Sequence, residues 1–222
     1  MTNQNVSALW RSGWCVVEDC TSAHLVDLAN ELGKPVSLAA GTLTKSLFPK
    51  SKDDAPMNSM SALFGLGAFP LHTDMAHWHR PARYVLLRSV SSTSNTPTLV
   101  LDTEDFFTEE LREEWARSVW KIKKIRCPFL STIVSSSSRE SFRWDPCCMF
   151  PFNKAAKELK PVIAETLEGA LRTYGHAVEW SSPGMALVLD NWRVLHARPA
   201  IVDKTERREL QRIVVRGDRN GK

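Results

Sequence analysis

His72-Thr73-Asp74 and, more than a hundred residues later, Leu187-Val188-Leu189-Asp190-Asn191-Trp192-Arg193-Val194-Leu195-His196 decide how this chain is read. Two imidazoles and one carboxylate can hold a non-heme Fe(II) on one face and leave its remaining positions open for a co-substrate and oxygen. In a β-strand or at a strand end, residues i and i+2 point to the same side. His72 and Asp74 are therefore expected to grip one metal with His196 while Thr73 faces away.

A His-x-Asp alone occurs by chance in many proteins, and a buried histidine is more often hydrogen-bonded core than ligand. Other stretches strengthen it here. Pro81-Ala82-Arg83-Tyr84-Val85-Leu86-Leu87 follows the His-x-Asp, and Thr96-Pro97-Thr98-Leu99 lies between the ligand segments. Beyond His196, Arg207-Arg208-Glu209-Leu210-Gln211-Arg212-Ile213-Val214-Val215 is a cationic cluster running into an apolar strand. In order and spacing, from about Leu32 to Gly217, the chain resembles the taurine dioxygenase-like and clavaminate synthase-like Fe(II)/2-oxoglutarate-dependent oxygenases.

That resemblance implies a mainly β protein with flanking helices, folded as a double-stranded β-helix or distorted jelly roll. It implies His72, Asp74 and His196 as iron ligands, with 2-oxoglutarate and O2 as co-substrates. In related halogenating enzymes a small residue replaces the acidic ligand, so the intact Asp74 favours hydroxylation or another outcome of hydrogen abstraction. The distal carboxylate of 2-oxoglutarate needs a cation, and a guanidinium supplies permanent charge and paired donors. By similarity this is Arg208, with the Thr98 hydroxyl beside it. Arg207 is the adjacent competitor, and on a strand only one of the two can face inward.

Arg212, four residues after Arg208, shares its strand face. In the family its counterpart often meets an acidic group on the substrate; the alternative is an ion pair with an acid of the protein. Arg143-Trp144-Asp145 resembles the Arg-aromatic-Asp with which amino-acid hydroxylases of the clavaminate-like branch dock the substrate's polar groups, although that branch usually carries glutamate at the position of Asp74. Asp190 and Asn191 match the family's Asp-Asn turn, expected to orient the distal histidine. His77 and His79 could extend a zinc cluster from His72, but no cysteine lies near in sequence to complete four ligands. They fit the pocket rim or the surface with Trp78.

At 222 residues, without a linker-like shift in composition, the chain is expected to form one domain over residues 1–222. Its net charge of +4 is mild and dispersed. The densest basic stretch, Lys121-Ile122-Lys123-Lys124-Ile125-Arg126, alternates charge with apolar residues and reads as a strand with one solvated face, not a nucleic-acid stripe. No signal-peptide pattern and no membrane-length apolar run is present, which predicts a soluble, cytoplasmic protein that engages neither nucleic acid nor membrane. Cys15, Cys20, Cys127, Cys147 and Cys148 show no zinc or redox spacing and read as buried free thiols.

Trp14 to Val17 reads as a strand, and Thr21-Ser22 caps a helix through Leu32 that Gly33 ends. Residues 41 to 58 show no clear period and read as a loop, either a lid over substrate or a plain connection. Strands are expected between Leu63 and Leu101, around Ala186 to Leu189 and over Leu210 to Val215. Helices are expected at Glu109 to Trp115 and at Lys154 to Tyr174, where the apolar stripe has helical period.

The expected function is Fe(II)- and 2-oxoglutarate-dependent oxidation of an unactivated C–H bond in a small, anionic or amino-acid-like substrate. The alternatives are the same chemistry on a carrier-bound or macromolecular substrate, and a non-catalytic metal-binding jelly-roll protein.

Overall fold

Helix α1 (Asn3–Ser12), strand β1 (Trp14–Val17), helix α2 (Ser22–Leu32) and strands β2 (Lys34–Val36) and β3 (Lys45–Leu47) lead, through the short α3 (Met60–Phe64), into the strand β4 (Phe69–His72). Strands β5 (Tyr84–Ser89) and β6 (Ser94–Asp102) come next, then α4 (Glu109–Arg117), β7 (Val119–Ile122), β8 (Phe129–Thr132), β9 (Met149–Pro151) and the long α5 (Lys154–Tyr174). The chain closes with β10 (His176–Trp180), β11 (Ala186–Asp190), β12 (Val194–Arg198) and β13 (Leu210–Arg216). This computed structural model describes residues 2–38, 41–57, 59–90, 94–123, 127–135, 141–203 and 208–217.

Two antiparallel sheets carry the architecture. One has the order β1-β11-β5-β13-β2, with β3 also paired to β13; the other runs β10-β6-β12-β4, and a small sheet β8-β7-β9 stands apart. Alternate residues of each strand enter different cores, as the period of two demands. Val85 and Leu87, Leu187 and Leu189, and Leu210 and Val214 of the first sheet meet Val100, Val178, Trp180 and Val194 of the second. Their sequence neighbours Tyr84, Leu86, Ala186, Val188, Ile213 and Val215 turn outward under Leu25, Leu28 and Ala29 of α2. On the far side, Leu71, Leu101, Leu195 and Ala197 pack against Ile163 and Leu167 of α5, Trp115 of α4 and Trp120 of the small sheet. The layers are therefore helix, sheet, sheet, helix.

Strand parity then fixes which polar residues lie between the sheets. Thr98 is in phase with Val100, His196 with Val194, and Arg212 with Leu210 and Val214, so all three belong to the inter-sheet face. His72, next to the outward Leu71, belongs to it as well.

The expected helices form at the expected places. Thr21 caps α2 by accepting a hydrogen bond from the His24 N–H at 3.1 Å, and α5 spans Lys154–Tyr174. Two differences stand out. The stretch expected to be a loop over 41–58 contains β3, whose three residues are too few to show a period. It is held by pairing Leu47 with Leu210 and Lys45 with Arg212. The cysteines are free, but only Cys15 and Cys20 are buried; Cys147 and Cys148 are half-buried and Cys127 is exposed. The basic stretch is a strand only as far as Ile122, with Trp120 and Ile122 buried and Lys121 exposed; Lys124, Ile125 and Arg126 lie outside the described residues. Among the described residues no helix is long and apolar enough to cross a membrane.

Candidate metal centre

His72 closes β4, and the ladder sets it directly opposite His196 of β12. Their ring centroids are 4.3 Å apart. Asp74 follows two residues later, and the three side chains, all buried, offer ligand atoms within 4.8 Å of one another. It is the one such His, Cys, Asp or Glu group among the described residues, so His77 and His79 do not join it. His79 instead lies against Phe129 at 4.2 Å.

His72 and Asp74 are held by different devices. The Nδ1 of His72 is 2.9 Å from the Pro70 carbonyl oxygen; a carbonyl can only accept, so Nδ1 carries the proton and Nε2 keeps its lone pair. Thr73 faces away, fully buried. Its hydroxyl donates to the Trp144 carbonyl and accepts from the Trp144 N–H at 3.1 Å, and its own N–H donates to the Trp144 carbonyl at 2.7 Å. At Asp74 the main chain is clamped by Asn191, whose Oδ1 accepts from the Asp74 N–H at 2.7 Å while its Nδ2 donates to the Asp74 carbonyl at 3.0 Å. The same Nδ2 donates to the Ala82 carbonyl at 2.9 Å.

Asn191 was expected, with Asp190, to orient His196. Its side chain orients Asp74 instead. Asp190 holds the turn itself, accepting from the Trp192 N–H at 3.2 Å and pairing with Arg83 at 3.4 Å.

The electrostatics suit a divalent metal. Burial lowers the His196 pKa to about 3, helped by His72 and opposed by Asp74. The imidazole is thus neutral at ordinary pH, the form that coordinates metals. Its Nδ1 is buried without a hydrogen-bond partner. Burial by itself would raise the Asp74 carboxyl, but Arg212, His196 and His72 overcome it and hold Asp74 below the usual carboxylate range. Two buried imidazoles and an ionised carboxylate fit a mid-row divalent ion such as Fe(II).

Of the expected arginines, Arg212 reaches a ligand side chain directly, while Arg208 and Arg143 bond to other groups. Arg212 on β13 directs Nη1 at both Asp74 oxygens, at 3.0 and 2.9 Å. Arg208 donates from Nη2 to the Thr98 hydroxyl at 3.0 Å, and the Trp180 indole N–H donates to the same oxygen at 3.2 Å. With both lone pairs occupied, the Thr98 hydroxyl hydrogen is left to donate elsewhere. Arg207 lies outside the described residues. Arg143, buried beneath the loop that follows the ligands, donates to the carbonyls of Ala76, Trp78 and His79, and Phe129 packs 5.4 Å from its guanidinium carbon. Asp145 accepts from the Cys147 N–H at 2.8 Å and the Cys148 thiol at 3.4 Å.

The expected site residues therefore divide. The structure brings His72, Asp74, His196 and Arg212 into one cluster and joins Thr98 to Arg208. Arg143 and Asp145 have protein partners in the loops around the centre. Sequence reasoning did not foresee that Asp74 would be the acid facing Arg212, although their common inward parity was legible.

A buried His-Asp-His group set between two antiparallel sheets is the ligand set of a mononuclear non-heme metal centre. The chain belongs to the taurine catabolism dioxygenase TauD, TfdA family, which it matches over residues 3–214. It is a 2-oxoglutarate-dependent non-heme iron dioxygenase, with Fe(II) as cofactor and 2-oxoglutarate as co-substrate.

Solved structures of the same fold include an asparagine oxygenase in complex with Fe(II), 2S,3S-3-hydroxyasparagine and succinate. It is 14% identical with a TM-score of 0.73, covering 96% of this chain and 78% of that one. A taurine dioxygenase from Burkholderia xenovorans is 17% identical at a TM-score of 0.71, covering 97% and 80%. The non-heme iron oxygenase OrfP, in complex with Fe and alpha-ketoglutaric acid, is 19% identical at 0.67, covering 97% and 78%. No curated protein matches the chain.

Proposed function

We propose that residues 1–222 form one catalytic domain, its two main sheets the faces of a double-stranded β-helix, that oxidises an unactivated C–H bond of a small amino-acid-like substrate. The observation that carries the reading is the convergence of His72, Asp74 and His196, with Thr98, which Arg208 bonds, two residues along β6 from the Val100 that pairs with His196. His72 through Nε2, Asp74 through its carboxylate and His196 through its imidazole would hold the Fe(II). When bound, the metal supplies oxygen activation coupled to decarboxylation of 2-oxoglutarate to succinate.

The protein's own residues do the remaining work. Arg208 and the free Thr98 hydroxyl hydrogen receive the distal carboxylate of 2-oxoglutarate, a charge-assisted contact in a desolvated setting. The apolar inter-sheet core keeps water from the reacting atoms. Arg143 holds the loop over residues 76–79 in place, and Arg212 is assigned to Asp74. The amino-acid-like reading draws its support from the fold neighbours whose ligands are 3-hydroxyasparagine and (3S)-hydroxy-L-Arg.

The test is anaerobic addition of 2-oxoglutarate to protein loaded with Fe(II), followed by succinate measurement in air across a panel of free amino acids. A visible charge-transfer band in the wild type that is lost in His72→Ala, and stimulation of succinate release by one amino acid, are the expected results. No band in the wild type overturns the metal assignment, and a flat panel overturns the substrate class.

A further inference from the structure

Arg212 is the only guanidinium among the described residues bonded to a metal-ligand side chain, and it takes both oxygens of that ligand with a single nitrogen. Its side chain and that of Asp74 are 14% and 11% exposed, so water screens the pair weakly. The usual account of such a contact is orientation of the carboxylate. Asn191 already fixes the Asp74 main chain on both its N–H and its carbonyl, so Arg212 is left to orient only the carboxylate itself. Beyond that orientation Arg212 brings a permanent positive charge.

We propose that Arg212 limits the divalent-metal affinity of the His72–Asp74–His196 centre: a fixed competing cation on the one anionic ligand. Two cations sharing one carboxylate weaken each other's hold, and the coupling is reciprocal by linkage. Coulomb repulsion between a divalent ion and a guanidinium a few ångströms apart in a weakly screened interior exceeds what the two orienting contacts of one nitrogen contribute. The net sign is therefore toward weaker metal binding with Arg212 than without it. Functionally, the centre would exchange its metal readily. The inference rests on the metal reading above and deepens it.

The probe is Mn(II), titrated into metal-stripped protein and followed calorimetrically and by the loss of the free-ion paramagnetic signal. The proteins are wild type, Arg212→Gln, which loses the charge but keeps an amide donor, and Arg212→Lys, which keeps the charge. The proposal predicts that Arg212→Gln binds Mn(II) roughly ten-fold or more tightly than wild type, with Arg212→Lys close to wild type. Equal or weaker binding by Arg212→Gln, with Arg212→Lys normal, overturns it in favour of an orienting role. Should Arg212→Gln not fold, a wild-type-like affinity in Arg212→Lys supports the charge argument and a weakened one counts against it. Failure of the wild type itself to bind Mn(II) would instead sink the metal reading.

Discussion

Asn191 and Asp74, 117 positions apart in the chain, are joined as a reciprocal pair: the Asn191 side-chain amide both accepts from and donates to the Asp74 main chain. The β11–β12 turn, which delivers His196, is thereby coupled to the strand end that delivers the other two ligands.

Asn191→Ala should be costly for that reason. It strands the Asp74 N–H and leaves the Asp74 and Ala82 carbonyls short of a donor in a fully buried place. A loss of about 3 kcal/mol is expected, or on the order of 6–12 °C in melting temperature for a chain of this size. Calorimetry reads the stability, and Mn(II) titration of the folded fraction should show weakened binding. An unchanged melting temperature would argue that water replaces the amide at no cost.

Arg208→Ala should raise the 2-oxoglutarate requirement roughly ten- to a hundred-fold, the loss of a charge-assisted contact of about 1.5–3 kcal/mol. Thr98→Val should do the same more weakly, since a neutral donor is removed. Steady-state kinetics in 2-oxoglutarate decides between Arg208 and its neighbour: a large effect from Arg207→Ala and none from Arg208→Ala would exchange their roles.

Arg143→Met separates scaffolding from substrate docking. Three carbonyls of the post-ligand loop lose their donor, and about 3–5 kcal/mol of stability should go with them. The melting temperature should therefore fall. A normal melting temperature combined with a raised KM for the organic substrate would return Arg143 to the docking role.

Stability of the metal-stripped protein should depend on pH in a defined sense. The native pKa of His196 is about 3 against an ordinary 6.5. Below pH 6.5 the unfolded chain takes up a proton that the native protein refuses, so stability drops as the pH falls from 6.5 toward 3. Asp74, held below its ordinary value of 3.8, adds a further loss as the pH falls through its native value. Urea midpoints measured across this range should slope less steeply for His196→Gln than for wild type; parallel slopes would refute the burial argument.

Much of the site could be read before the fold was known because its logic is local. His72 and Asp74 are two apart at a strand end, and parity alone places Thr98, His196 and Arg212 on the inter-sheet face. Neither the Arg212–Asp74 pair nor the grip of Arg143 on the loop could be read this way. Both depend on how closely two segments approach, and strand parity fixes direction without distance. β3 escaped notice for a related reason: a strand of three residues is stabilised by its partner's ladder and carries no pattern of its own.

The register between β4 and β12 has one more consequence. His72 and His196 are a cross-strand pair, so two of the three ligands are written into backbone hydrogen bonding and cannot be moved without shifting a whole strand. Asp74 stands past the end of β4, and Asn191 grips only its main chain. The third ligand is thus held twice, its backbone by Asn191 and its carboxylate by Arg212, so a neutral residue there would keep the clamp but strand the buried guanidinium. Variation in the chemistry of such a centre is open at that position only together with a change at Arg212, whereas the histidine pair is fixed by the ladder itself.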